Sequence, residues 1–429
     1  MHVYDLTAGD FVAAARTFDR RYEPSPELVA KVADILAAVR RDGDVALTEL
    51  TSRYDGCHLE AAEFLVQPAE RLEARGRIVP NLLRALEASK QNVQEFAHRS
   101  QRTSWSAQNA QGAEVGERFD PFNRVGIYVP AGSAPLVSSA IMTVAIASAV
   151  GVPEIAVMSP CGSHRDLNPS LLTALDLAGA TEIYRLGGAQ AIAALAYGTP
   201  TIRRADKIFG PGNAYVTEAK RQVFGFVGVD LLPGPSEIMV LADDSANPSW
   251  IAADLLAQAE HGAHSVICLV TFAAELVDRV RQEISRQSAQ LKRQKELTAV
   301  LEHNASAVIV REWTEAIEIV NRFAPEHLMI VTRDAETWAE KVTTAGAIFL
   351  GGYSPVAIGD FVAGPSHELP TGGAGKCFSG LTVDQFQRRT SIVRYTPEAL
   401  QLSIPITNEF SAAEQLDGHG VSVQIRVCG

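Results

Sequence analysis

The chain has 429 residues, 47% hydrophobic and 21% charged, which excludes intrinsic disorder, a collagen-like chain and a small disulfide scaffold. Thirty-eight Lys and Arg against 50 Asp and Glu give a net charge of −12, which argues against broad electrostatic binding to nucleic acid or an anionic membrane and leaves room only for a local anion pocket. The length predicts about three domains, or two with elaborations. Five cysteines, at 57, 161, 268, 377 and 428, are odd in number and contain no CxxC pair, so free thiols in a reducing cytoplasm are expected and a cysteine zinc knuckle is excluded. No basic-then-apolar leader opens the chain, which again predicts a cytoplasmic location.

Residues 1–120 read mainly as helices. Pro26 to Tyr54 places Leu28, Val32, Ile35, Leu36 and Val39 at helical spacing, with Pro26 suited to the first turn and Asp42-Gly43-Asp44 as punctuation. Leu82–His98 is a second amphipathic stretch. From about 122 strand and helix alternate. Strands are predicted at Val125–Val129, Glu154–Met158, Glu182–Leu186 and Lys207–Phe209. Helices are predicted over Ala134–Val150, Pro169–Ala178, Ala189–Ala196 and Ala214–Phe224. Ala134–Val150 is too short and too rich in Ser and Thr for a membrane span and reads as a buried helix. A second such set follows, with strands at Ile238–Leu241, Ser265–Val270, Ser306–Val310, His327–Val331 and Ala347–Leu350. Helices at Ser249–His261, Ala273–Gln290 and Thr314–Phe323 separate them. Gly351–Gly380 reads as a long Gly-rich loop. The final 45 or so residues are too few to fold alone and are expected to dock on the body or on a partner subunit. The pattern predicts an α/β protein with two Rossmann-like parallel sheets, a helical N-terminal segment and a small C-terminal appendage. The expected domains are 1–121 with 237–384, then 122–236 on the cofactor side, then the tail 385–429. No internal repeat is visible.

Three familiar motifs are missing. No GxGxxG is present, no HExxH is present, and Pro370-Thr-Gly-Gly-Ala-Gly-Lys376-Cys377 has Pro and Cys where a phosphate loop needs Gly and Ser or Thr. Polar clusters at element ends remain. Gln258 and His261 share a helix face; alone, the pair also reads as a helix end that favours His. Glu326-His327 follow Pro325 at a helix–strand junction, where a carboxylate beside an imidazole suits acid/base chemistry. Asp360 and His367 lie in the Gly-rich loop as metal or substrate ligands, with a turn or cap as the plainer role for Asp360. Glu414 and His419 lie in the tail. Gly210-Pro-Gly-Asn213 can cradle an anion at a helix start. Ser236, in Gly234-Pro-Ser-Glu237, lacks the elbow a nucleophilic serine needs.

Taken in order, these segments resemble the histidinol dehydrogenase family. The resemblance rests on Val125-Gly-Ile-Tyr-Val-Pro130, Gly187-Gly-Ala-Gln-Ala-Ile192, Gly210-Pro-Gly-Asn-Ala-Tyr-Val216 and Gly234-Pro-Ser-Glu237. It continues through Asp254-Leu-Leu-Ala-Gln-Ala-Glu-His261, Ala324-Pro-Glu-His-Leu328, Gly359-Asp360, His367-Glu-Leu-Pro-Thr371 and Glu414…His419. It implies zinc, one per subunit, on Gln258, His261, Asp360 and His419, with His419 reaching into the neighbouring subunit of an obligate homodimer. It implies Glu326 and His327 as the acid/base pair. Ser236, His367 and Glu414 match substrate-holding positions, joined there by Gln258, His261, His327, Asp360 and His419. Tyr128, Gln190 and Asn213 match NAD-touching positions. The implied reaction is L-histidinol to L-histidine with two NAD⁺ reduced. The chain departs from the family pattern at Ala131-Gly132, Val356, Ser366 and Gly372-Gly373, which concerns loop geometry and no implied ligand. The alternatives are a paralogue acting on another primary alcohol such as sulfopropanediol, which calls for extra Lys or Arg at the pocket, a zinc hydrolase, which has no use for the NAD positions, and a non-catalytic interaction protein.

Overall fold

The computed structural model describes residues 1–9, 11–19, 23–131, 135–163 and 165–427. Ala134, Gly132 and Cys428, which figure in the sequence reading, lie outside them. The N-terminal part runs β1 (His2–Asp5), α1 (Phe11–Phe18), α2 (Pro26–Asp42), α3 (Asp44–Tyr54), α4 (Pro68–Arg77), α5 (Pro80–Ser100), β2 (Trp105–Gln108) and β3 (Glu114–Pro121). Next come β4 (Arg124–Tyr128), α6 (Val137–Val150), β5 (Glu154–Met158), α7 (Pro169–Ala178), β6 (Glu182–Tyr184), α8 (Gly188–Tyr197), β7 (Lys207–Phe209), α9 (Ala214–Val223) and β8 (Gly228–Val229). The third part runs β9 (Glu237–Ala242), α10 (Pro248–Ala259), β10 (Val266–Thr271), α11 (Ala274–Ser288), α12 (Gln294–His303), β11 (Ala305–Ile309), α13 (Trp313–Phe323) and β12 (His327–Val331). It continues with α14 (Ala335–Ala339), β13 (Ala347–Leu350) and α15 (Val356–Phe361), and the chain ends with β14 (Gln387–Arg394), α16 (Pro397–Ala413) and α17 (Asp417–Gln424).

Two all-parallel sheets result, as the alternation predicts. One has the order β6-β5-β4-β7-β8 and the other β1-β11-β10-β9-β12-β13. Counted from β4 in the first and from β9 in the second, each contains the order 3-2-1-4-5, the order of a Rossmann half, with β1 added at the edge of the second. The fold thus repeats a topology that the sequence does not repeat. The central strands, such as β4 and β9, are buried on both faces, which is why they are continuous apolar runs. In β9, Ile238, Val240 and Ala242 enter one core while Met239 and Leu241 enter the other, the period-two alternation of a strand.

Four features depart from expectation. Helices α2–α5 pack into the core around the five-stranded sheet, sharing it with Val125, Ile127 and Leu195 and also with Leu381 and Val383, while Ser89 and Asn92 on α5 donate to the carbonyls of Phe361 and Val362. Their apolar faces were legible; the partner that covers them was not. Residues 105–121 form a hairpin, whose turn is set by Asn109 accepting from the N–H groups of Gln111 and Ala113 and by Gly112 at φ +81°; β14 pairs antiparallel with it. Strand β1 joins the six-stranded sheet beside β11. The stretch 351–380 contains the short helix α15, whose first N–H, from Val356, is taken by the buried carboxylate of Asp254 on α10. Helix α6 is buried almost all round, as expected, and no helix among the described residues is long and apolar enough to cross a membrane.

Arg124, at the start of β4, is buried, and its guanidinium clasps both oxygens of Glu182 at 2.7 Å and Glu154 at 2.9 Å. The Arg124 hydrogen bonds hold the Glu182 carboxyl down at about 2. Replacing Arg124 with Leu is expected to cost about 3 kcal/mol, the low end for a broken buried pair because the two carboxylates keep some solvent, measured by urea unfolding at pH 7. Because the folded pKa is depressed, Glu182's contribution is complete above the ordinary glutamate pKa and fades as pH falls from there through about 2. The difference between wild type and variant should shrink in that window.

Candidate active site

The five-stranded sheet contributes the carboxyl ends of its strands. Its order reverses between β4 and β7, and in open parallel sheets ligands bind outside the carboxyl ends at such a point. The expected cofactor residues gather there. Tyr128 ends β4, is buried, and its hydroxyl accepts from the Gly188 N–H at 3.1 Å. Gly210 follows β7 at φ +101°, and a Cβ there would lie 2.1 Å from the Tyr128 carbonyl oxygen, so only glycine lets the two loops meet. Asn213 caps α9, its Oδ1 accepting from the N–H groups of Tyr215 and Val216 at 3.0 and 3.2 Å. Gln190 is buried in the first turn of α8 and faces Asp55 at 3.5 Å. Burial raises the Asp55 carboxyl to about 6 against the pull of the Gly187 N–H. Asp55 went unread in the sequence; the Asp-Gly pair there signals only a turn.

The six-stranded sheet contributes the opposite, amino ends of its strands. Ser236 and Glu237 open β9, and Glu326 and His327 open its neighbour β12. Glu326 is buried and its Oε2 accepts from the Ser236 hydroxyl at 2.5 Å and the Glu237 N–H at 2.7 Å. The Ser236 oxygen accepts in turn from Gln258 Nε2 at 2.5 Å, leaving the Gln258 carbonyl oxygen outside that chain of bonds. Burial pushes the Glu326 carboxyl well above the usual carboxylate range, opposed by those two donors and aided by Glu237 and Asp360. His327 Nδ1 lies 2.9 Å from the Glu237 carbonyl oxygen. A carbonyl can only accept, so Nδ1 carries the proton and the neutral ring presents an unprotonated Nε2. That Nε2 is buried, has no hydrogen-bond partner among the described residues, and lies 3.8 Å from Asp360 Oδ1. Burial lowers the His327 pKa, with Asp360 opposing. The double use of the Glu237 backbone is a functional contribution that side-chain motifs do not reveal.

The C-terminal end of α10 and helix α15 complete this edge. Gln258 is buried in the last turn, and half-exposed His261 directs Nε2 to 4.0 Å from Asp360 Oδ2. Burial raises the Asp360 carboxyl, with His327 opposing. His367 is almost buried, its Nε2 lacks a hydrogen-bond partner among the described residues, and burial lowers its pKa to about 4, with the nearby His327 adding to the effect. His327 and His367 line a cleft of about 300 Å³ with Phe349, Tyr353, Ile358 and Ser366. The loop carrying His367 also bridges the two sheets. Ser366 donates to the Met142 carbonyl on α6 at 3.1 Å, and the Gly372 N–H donates to Glu237 Oε1 at 2.6 Å.

The structure therefore brings Ser236, Gln258, His261, Glu326, His327, Asp360 and His367 to one edge, with Tyr128, Gln190 and Asn213 at the carboxyl edge of the other sheet. It does not bring Glu414 and His419 there. Both lie in the tail, where α17 packs on α16, and no hydrogen bond or ion pair joins them to the cleft among the described residues. The His261 imidazole and the Asp360 carboxylate, 4.0 Å apart, are donors that suit zinc, and the Gln258 amide oxygen is a weaker one. No group of three His, Cys, Asp or Glu among the described residues is placed to hold a metal. Cys377 is exposed in a loop, as read.

In the metal-free protein, ¹⁵N shifts of His327 at pH 7 should show a neutral ring protonated on Nδ1. A ring protonated only on Nε2 would contradict the Glu237 contact.

The family model described as histidinol dehydrogenase matches residues 18–427. A histidinol dehydrogenase of Heliobacterium mobile is 41% identical, over 92% of this chain and 93% of that protein. One of Syntrophotalea carbinolica is 40% identical, over 100% and 99%. The crystal structure of histidinol dehydrogenase from Elizabethkingia anophelis superposes with a TM-score of 0.94 at 31% identity, covering 100% of this chain and 98% of that one. With the family model, the relatives and the solved structure matching over nearly the whole chain, the chain belongs to the histidinol dehydrogenase family, the NAD-dependent, zinc-binding oxidoreductases of histidine biosynthesis.

Proposed function

We propose that this chain oxidises L-histidinol to L-histidine in two successive dehydrogenations at one cleft. The observation that carries the reading is a histidine with Nδ1 committed to a carbonyl and Nε2 free, beside a buried carboxyl of raised pKa. When bound, zinc supplies a Lewis acid for the substrate's nitrogen donors and NAD supplies the hydride acceptor. Gln258, His261 and Asp360, with His419 of the partner subunit, would hold the metal, and Tyr128, Gln190 and Asn213 the cofactor. His327 takes the alcohol proton at Nε2 in the first step, and the nearby Asp360 carboxylate steadies the imidazolium. Glu326 takes a proton from the water that hydrates the aldehyde, and the burial that raises its pKa makes it a stronger base than an ordinary carboxylate. His327 acts again on the hydrate in the second step. Ser236 fixes the Glu326 carboxylate, and Ser236 and His367, with Glu414 of the partner subunit, hold the substrate.

The shared site is part of the proposal. Helices α16 and α17 expose Leu402, Ile406, Phe410, Val421 and Ile425, an apolar surface that a tail laid on a second copy would cover. The proposed site of action is the cytoplasm.

Purified protein should form two NADH per histidine from L-histidinol, lose activity on chelation and regain it with zinc. Glu326→Gln should lower kcat by roughly 10²–10⁴-fold, the usual worth of a positioned base. A product halted at the aldehyde, or one NADH per turnover, would contradict the two-step reading.

Mixing inactive Glu326→Gln and His419→Asn proteins tests the exchange. If each site takes its tail from the partner, subunit exchange restores about a quarter of wild-type activity, because half of the dimers carry one intact site. No recovery after demonstrated exchange would place both residues in one chain's site.

A further inference from the structure

One pair of nucleophilic side chains stands outside the proposed chemistry. Cys57 follows the Asp55-Gly56 turn after α3, and Cys161 lies just beyond β5. They are 104 residues apart in sequence, yet their Sγ atoms are 3.4 Å apart, and both are free thiols. They are 1% and 7% exposed, with Cys161 beneath the exposed turn at Gly162 and Ser163. A disulfide needs about 2.05 Å between sulfurs, so closure requires a shift on the order of 1 Å. Of the other described cysteines, Cys268 is sealed in the six-stranded sheet and Cys377 sits in an exposed loop.

The two segments that carry the pair also hold a third. A Cβ added at Gly187 would fall 2.6 Å from Pro160 Cβ and 3.2 Å from Asp55 Oδ2, so the residues flanking each cysteine clasp the Gly187 turn with no slack. Asp55 also accepts from the Gly187 N–H and faces the Gln190 amide. Drawing the two sulfurs together moves both walls of that clasp.

We propose that Cys57 and Cys161 form an oxidation site, a dithiol that peroxide or a small-molecule disulfide converts reversibly to an intramolecular disulfide, displacing the Gly187 turn and weakening NAD binding. With peroxide, the more accessible Cys161 sulfur attacks one oxygen. An S–O bond forms, the O–O bond breaks, and the departing oxygen leaves as water. The Cys57 sulfur then attacks the sulfenic sulfur, forming the S–S bond and expelling a second water. Two thiols give up two electrons and two protons, and one peroxide takes both. With a small disulfide, two exchange steps release two small thiols. Burial, together with the adjacent Cys57, pushes the Cys161 thiol up to about 12, so the site answers sustained oxidant and not a brief pulse. The effect on NAD rests on the proposed cofactor role of Gly187–Gln190; the pairing of the thiols does not.

The test uses the full-length, fully reduced protein incubated with hydrogen peroxide or with oxidised glutathione, then alkylated under denaturing conditions and mapped by mass spectrometry. The expected product is a peptide joining Cys57 to Cys161, lost on dithiothreitol and absent from Cys57→Ser and Cys161→Ser. NADH affinity, read by fluorescence titration, should weaken roughly fivefold or more on oxidation, the low end of ordinary coupling between sites. It should recover with reductant and stay unmoved by oxidant in both variants. Separate thiols after oxidation, or Cys161 ending as a sulfinic acid or mixed disulfide without Cys57, overturn the proposal, as does a cross-linked protein of unchanged NADH affinity. A cross-link that forms in a protein binding no NADH in either state supports the pairing and sinks the cofactor reading instead.

Discussion

Much of the cleft depends on how one backbone unit is shared. Glu237 opens β9, and its N–H and carbonyl are both claimed by side chains of the neighbouring strand: the N–H by Glu326, the carbonyl by His327. Its carboxylate takes the Gly372 N–H and so ties down the loop that carries His367. The buried N–H and C=O of one residue each need a partner. Here those partners are the acid/base candidates themselves, so the pairing that keeps the strand end satisfied also fixes the tautomer of the imidazole and the orientation of the carboxyl. Parallel pairing of β9 with β12 supplies the register that makes this possible.

The two sheets share the order 3-2-1-4-5 but carry their candidate residues at opposite strand ends. The five-stranded sheet presents carboxyl ends, where loops and helix starts offer backbone N–H groups. The six-stranded sheet presents amino ends, where Ser236, Glu326 and His327 stand on the first residues of strands and Gln258 on the last turn of a helix. One edge thus suits an anionic cofactor and the other suits proton transfer. The loop from Pro365 to Gly372 holds the edges together through Ser366 and Gly372. Glu368 in the same loop is buried, and burial raises its carboxyl to about 8, so the bridge carries no obligatory charge into the space between the sheets.

The parallel strands were legible because burial on both faces leaves unbroken apolar runs, as in Glu237–Ala242 and Val266–Thr271. Strand β1 was not, because its four residues are mostly only half-buried and gain a partner only from residues 305–309. The hairpin at 105–121 was lost for a related reason: all of β2 is exposed, so no alternation marks it. Within the cleft, Glu326-His327, Gln258/His261 and Asp360 stood out as residue types at element ends. The contributions of Glu237 and Asp55 did not, since a carbonyl oxygen has no letter in the sequence and a lone Asp before Gly reads as a turn. Helix α15 was hidden in Gly-rich sequence, and its anchor is Asp254, a hundred residues away.

The position of β1 bears on how the molecule is made. The strands and crossover helices of the five-stranded sheet come from one unbroken run, residues 124–229, and β14 is the only strand of the small antiparallel sheet that arrives late. The six-stranded sheet is different, because its edge strand is synthesised first and its neighbour β11 some three hundred residues later. A chain emerging from the ribosome therefore carries residues 2–5 as an unpaired segment while the middle sheet is already complete. A chain cut just short of residue 326 therefore carries every strand of the five-stranded sheet but neither Glu326 nor His327.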